Sequence, residues 1–243
     1  MRHVVALAAG LSLVAGAALV ARAQSDETWE TPPGEEMPSG MSDVLPAEGG
    51  VAGVYGEAGY QRFNLDEINS ALAGKGLPQF QQDGLTLAWG FVAGADSLQI
   101  RGGGAHSRFE SREEGKGFSR LTIDDGYLGV HWTLAGNQTV RLTGGGNVGL
   151  AQVALETYAA SAPVQLGSTG GSRYTRFMLT LEPQAAVQVY FTPRVGLELR
   201  AGYRLATDFW NAKWARADGQ TVDQTPAVLN GPTLRLGLLL GSF

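Results

Sequence analysis

Three groups of residues in this chain are of types that do chemistry. His106 and Ser107 set a base beside a hydroxyl nucleophile, the pair that acyl transfer needs if both line one site and a third group orients the base. Glu57, Glu182 and Glu198, with Arg141, Arg200, Arg204 and Arg235, are carboxylates and guanidiniums suited to an ion-pair network or a charged passage. Phe209, Trp210 and Trp214, beside Lys213 and Arg216, mix rings and cations as a lipid or partner surface would. Other chemistry is missing. There is no cysteine, hence no thiolate nucleophile, thiolate metal site or disulfide. His106 and His131 lack the clustering of a metal site. Gly102-Gly103-Gly104 has no following helix and no adjacent lysine, so it is no phosphate loop. No cofactor is expected.

The elements that must position these residues are strands. From Phe177, every second residue is Phe177, Leu179, Leu181, Pro183, Ala185, Val187, Val189 and Phe191, with Thr180, Glu182, Gln184 and Gln188 between them. After Thr192-Pro193-Arg194 the alternation resumes, with Val195, Leu197, Leu199, Ala201, Tyr203 and Leu205 opposite Glu198, Arg200 and Arg204. Period two across residues 176–205 predicts a hairpin of two strands. Both exceed the usual strand of about five or six residues and suit a tilted bilayer crossing of about 9–11.

Six more strands are predicted, near residues 51–63, 85–93, 98–109, 118–134, 139–150 and 233–243. Asn64, followed three residues later by Glu67, with Leu65, Ile68 and Leu72 at helical spacing, predicts a short loop helix near 65–73. The triplet at Gly102 predicts a strand bend, and Asp124-Asp125 a bulge. Residues 110–117 and 158–173 read as polar loops. Residues 207–230 form the longest connection, and an extra hairpin within 209–225 would raise the strand count to ten.

Glycine is 35 of 243 residues, about twice ordinary usage, and is spread through the strands rather than gathered in linkers. Arg2, an apolar stretch over 4–20 and Ala21-Arg22-Ala23 make 1–23 a secretory signal peptide. Its removal takes Arg2 and Arg22 from 18 basic residues, leaving 16 against 23 acidic ones, a net −7. No nucleic acid partner is implied. Residues 24–50 hold seven acidic residues, four prolines and no lysine or arginine, an acidic, Pro-rich, disordered periplasmic tail. The third region, 51–243, holds the strands.

The predicted connections alternate long and short, as in outer-membrane barrels with both ends periplasmic. Phe91, Trp132, Phe191 and Phe243 near one end of the strands, and Phe63, Phe109, Tyr158 and Phe209 near the other, read as two interfacial aromatic belts. An arginine facing lipid at mid-bilayer costs about 2–4 kcal/mol, so Arg141, Glu182, Glu198, Arg200 and Arg235 must face inward if the sheet spans. The expected fold is all-β, a closed antiparallel up-and-down transmembrane barrel of eight strands.

With its leader, amphipathic strands and terminal aromatic, the chain resembles a small bacterial outer-membrane β-barrel protein of the eight-stranded type, over residues 51–243. The resemblance implies a Gram-negative outer-membrane location, and Phe243 as a signal to the barrel insertion machinery. Phe243 departs from the pattern, because in strict alternation it shares a face with Arg235 and not with the leucines. Lipid A deacylases of similar barrel type pair His with Ser, but strand neighbours point to opposite faces, so His106 and Ser107 share a site only in a loop or bulge.

An eight-stranded barrel has room for side chains or one small ligand. The expectation is a monomeric, non-enzymatic barrel with a filled lumen and a structural or surface-interaction role through its outer loops, its partners being outer-membrane lipids and lipopolysaccharide. A narrow pore for ions or small solutes, favoured by the glycines, is the alternative. A lipid-modifying hydrolase is the second.

Overall fold

Alternation over long runs gives a sheet that closes on itself. The structure, a computed structural model, describes residues 50–95, 97–159, 171–208, 213–216, 221–222 and 229–243. The predicted signal peptide and nearly all of the acidic tail lie outside the described residues. In order, the elements are β1 (Gly50–Arg62), α1 (Asp66–Ala73), β2 (Asp83–Ala95), β3 (Leu98–Glu113), β4 (Gly117–Gly136), β5 (Val140–Ala159), β6 (Gly171–Thr192), β7 (Val195–Asp208), β8 (Trp214–Arg216), β9 (Thr221–Val222) and β10 (Gly231–Ser242). Neighbouring long strands pair antiparallel, and β1 pairs with β10, so eight strands form a closed ring. β8 and β9 do form a hairpin, but it hangs from the upper part of β6 through Tyr174–Arg216 and Thr175–Ala215 and takes no part in closure.

The stagger of the ring follows from its register. Partners traced once round run from Gln61 through Thr233, Gly202, Gln184, Gly145, His131, Gln99 and Gly94 to Val51. The trace returns to β1 at residue 51 having left at 61, a stagger of ten residues. At about 3.3 Å per residue and about 4.8 Å between strands, that tilts the strands by about 40°. The interior is then too narrow for anything but side chains unless some are small.

The two faces invert the soluble arrangement. Outward leucines such as Leu128, Leu199 and Leu236 are 50–60% exposed, while Arg101, Arg200, Arg204 and Arg235 are each 1% exposed inside. Inside, three zones succeed one another along the axis. At the end that carries α1, here the helix end, Phe63, Leu65, Ile68, Leu72, Phe109, Leu121, Met178 and Trp214 belong to an apolar core. A charged layer fills the middle. At the opposite, turn end, Tyr55, Tyr190 and Leu239 cluster with Phe243.

Helix α1 forms where the spacing placed it. The Asn64 side-chain oxygen accepts from the Asp66 amide at 3.1 Å, satisfying a donor that the first turn leaves open. Ile68 and Leu72 are buried in the apolar core. Asn69 then ties down the returning chain, donating to the Phe80 carbonyl at 3.0 Å and accepting from the Phe80 amide at 2.8 Å.

Several local expectations are corrected. Residues 110–117 are no long loop: β3 and β4 continue to a turn of three residues, 114–116, with positive φ at Gly115 and Gly117. Cross-strand pairs such as Arg120 with Glu110 at 2.6 Å let charged residues continue a ladder. The register passes unbroken through Asp124-Asp125 and through the Gly102 triplet; the irregularities fall at Thr133/Ala135 and Tyr190/Thr192 instead. The aromatic belts are also redrawn. Phe63 and Phe109 point inward and pack with their rings tilted, centroids 5.5 Å apart, and Phe243 also turns inward, 5.1 Å from Tyr190. Phe209 lies outside the described residues. Exposed rings near the helix end come from Tyr60 and Tyr203, and at the turn end from Trp132 and Phe191.

Some glycines answer a packing demand. A Cβ on Gly90 would sit 2.1 Å from the Gly102 carbonyl oxygen and 2.6 Å from the Tyr55 hydroxyl. Gly90→Leu should therefore destabilise the barrel by about 1–3 kcal/mol through overpacking, read as a lower urea midpoint for the unheated, fast-migrating gel band. An unchanged midpoint would show that this contact is not tight.

Candidate functional site: the charged lumen

The charged layer is built by alternation: once the leucines of a strand face out, every second residue must face in. Six of the seven expected charged residues meet there. Around Glu198, Arg101 donates from both terminal nitrogens, at 2.8 and 2.5 Å, Arg200 donates through Nε at 3.0 Å, and Gln188 donates at 2.6 Å. Around Glu182, Arg235 donates at 2.5 Å, Arg204 at 3.1 Å and the Thr233 hydroxyl at 2.7 Å. Glu57 lies between the two groups, 3.1 Å from Arg200 and 3.7 Å from Arg235. Asp125 completes the set, 2.8 Å from Arg204 and accepting from Thr180 at 3.2 Å.

Four carboxylates (Glu57, Asp125, Glu182, Glu198) therefore face four arginines (Arg101, Arg200, Arg204, Arg235), and the layer carries no formal net charge. Arg141, the seventh expected residue, stands apart toward the turn end with its guanidinium 5.1 Å from the Tyr190 ring centre. Tyr55 is the floor: Arg101 and Arg200 lie 5.2 and 5.7 Å from its ring, and its hydroxyl is 2.8 Å from that of Tyr127. Removing one member leaves a buried charge unopposed, which is why such a network holds one geometry firmly.

Arg101 and Asp125 were not among the expected site residues, although a signal for both exists. Leu98 and Ile100 face out, so Gln99 and Arg101 face in; counting back from Trp132, Val130 and Leu128 places Asp125 inside. The glycine triplet and the assumed bulge hid this parity.

The remaining candidates separate. Ser107 faces inward and bonds Thr86 at 2.6 Å and Gln61 at 3.2 Å. His106 faces outward, 2.7 Å from Asp124. The two therefore sit on opposite sides of β3. His131 is inside, 3.0 Å from Asn147. Trp214 is corrected: it is 4% exposed in the apolar core, because β8 folds back over the mouth, and it is no exposed loop ring. Phe209 and Trp210 lie outside the described residues. Beyond the apolar band, Arg108, Glu110, Arg120, Glu156 and Arg173 face outward as a charged row.

A closed ring with an apolar exterior and a buried, ion-paired interior is a membrane-spanning β-barrel. In hydrocarbon every backbone polar group must be satisfied within the protein and every charge turned from the lipid, and only closure achieves both with strands. No family model matches the sequence, and no curated relative matches it. Among solved structures the chain is similar to Neisserial surface protein A, at 14% identity over 80% of this chain and 99% of that one, TM-score 0.45. It is also similar to Ail, the attachment invasion locus protein of Yersinia pestis. One Ail structure matches at 13% identity over 80% and 99%, TM-score 0.43; another, in complex with the heparin analogue sucrose octasulfate, matches at 13% over 77% and 97%, TM-score 0.44. Identity at this level assigns no role to any residue.

Proposed function

We propose that this chain is an integral outer-membrane protein whose barrel is a closed, side-chain-filled scaffold, with a structural or surface-interaction role carried by its helix-end connections. One observation carries the reading: the charged layer is shut in by an apolar core at the helix end and by Tyr55, Tyr190 and Leu239 at the turn end. A water path would have to cross both. The start of β1 and the end of β10 meet at the turn end, where Ala52 pairs with Ser242. That supports both chain ends being periplasmic, with the helix end outside. The outward charged row from Arg108 to Arg173 stands at headgroup height and suits lipopolysaccharide phosphates. In this reading Phe243, its ring packed half-buried against Tyr190 in the folded state, serves the insertion machinery before folding is complete. The separation of His106 from Ser107 weighs against hydrolase chemistry.

The test is ion conductance in a planar bilayer, after the unheated and heated protein are seen to migrate differently on a gel. Wild type should be silent, and Arg200→Ala and Glu198→Ala should also be silent, since neither removes an end layer. Steady wild-type conductance altered by those lumen substitutions would make the protein a pore. For the surface role, Trp210→Ala should reduce binding of cells expressing the barrel to their target surface; unchanged binding would remove that residue from the interaction.

A further inference from the structure

We propose that the helix-end mouth holds a binding site for one short single-chain carboxylate, a fatty-acid-like anion. A cavity of about 310 Å³ opens between α1 and the inner faces of β5 and β6, beside Trp214. The closed-scaffold reading uses its walls only as part of the apolar end layer; the cavity itself plays no part in that reading, and no member of the charged layer lines it. Its walls are Ile68, Leu72, Leu77, Leu155 and Trp214, all buried to within 9% of full burial.

The walls select the ligand. They offer aliphatic and indole surface and too few polar groups for a sugar or nucleotide, which need several directed partners. Lys75 is the one charged residue among the described residues of the lining. It follows the C-terminus of α1, and its ammonium stands 5.6 Å from the centre of the Tyr174 ring, another wall. The Thr157 side chain lines the same cavity and brings a hydroxyl. The indole N–H of Trp214 is buried without an acceptor among the described residues, a donor left unsatisfied at a cost. An apolar slot with one cation and neutral donors matches a chain ending in a carboxylate. The volume corresponds to about ten waters at about 30 Å³ each, room for one short chain and not for a two-chain lipid.

The experiment uses the full-length mature protein folded into phosphatidylcholine nanodiscs, titrated calorimetrically with octanoate and, separately, with octanol, against empty nanodiscs. Wild type should bind octanoate saturably and above the empty-disc signal, and octanol about threefold more weakly, the preference expected of one exposed lysine. Lys75→Ala should abolish that preference without weakening octanol. Leu155→Trp, which fills the slot from the β5 wall, and Ala71→Trp, which fills it from the helix, should each remove binding of both; two fillers are used so that one failing the gel test of folding leaves the other to decide. No saturable signal beyond empty discs, equal affinity of wild type for the two probes, or undiminished binding by a folded filled variant would each overturn the proposal.

Discussion

Replacing Glu182 by alanine is expected to destabilise the folded barrel by about 3–5 kcal/mol, the usual cost of breaking a buried ion pair from one side. Glu182 accepts from Arg235, Arg204 and Thr233; without it Arg204 retains Asp125 at 2.8 Å, but Arg235 keeps only Glu57 at 3.7 Å. An arginine cannot shed its charge to escape, so the penalty falls on the folded state. Replacing the pair together, Glu182→Leu with Arg235→Met, removes both charges while Arg204 stays with Asp125, and should cost far less than Glu182→Ala alone. Urea titration of vesicle-inserted protein, following the gel shift between folded and unfolded bands, measures both. If Glu182→Ala costs no more than about 1 kcal/mol, water reaches this layer and the closed-lumen reading fails.

The second large effect lies one residue from that network. Leu236→Arg places a guanidinium on the outer face of β10, midway along its apolar stretch from Leu234 to Leu240, at a position 57% exposed. In a bilayer this should cost about 2–4 kcal/mol, with a lower urea midpoint and a smaller folded fraction on refolding into vesicles. In a water-soluble barrel the same change would be neutral or helpful, an exposed leucine giving way to a charge. Unchanged folding into vesicles would therefore count directly against a membrane-facing exterior. Arg235, adjacent in sequence and 1% exposed, makes the contrast sharp: one chemistry belongs on one face and is excluded from the next.

Much of the fold was legible because period two is a local property. Residues 176–205 announced two strands from their side chains alone, and the hairpin forms as β6 and β7. The helix was legible for the same reason, since Asn64, Ile68 and Leu72 lie within two or three turns of one another. Where the reading failed, a local signal met a distant partner. Phe63 and Phe109 sit near strand ends, as belt residues do, but parity turns them inward, where they meet each other and α1. Trp214 looked exposed in a polar connection because nothing within that connection says that β8 will dock on β6.

By itself, the sequence determined that the strands are long, that most of them alternate an apolar face with a more polar one, and that the arginine-bearing faces must turn from lipid. These follow from the alternation of Cβ directions and the cost of placing charge in hydrocarbon. Only the tertiary structure decided the ten-residue stagger and which strands' charges share a layer, because register is a relation between residues far apart in the chain. Arg101 and Glu198 meet across 97 positions, Arg235 and Glu182 across 53. The apolar layers at the two ends are likewise tertiary: α1 from one connection meets Trp214 from another at the helix end, and Phe243 from the chain end meets Tyr190 at the turn end, contacts that exist only once the ring has closed.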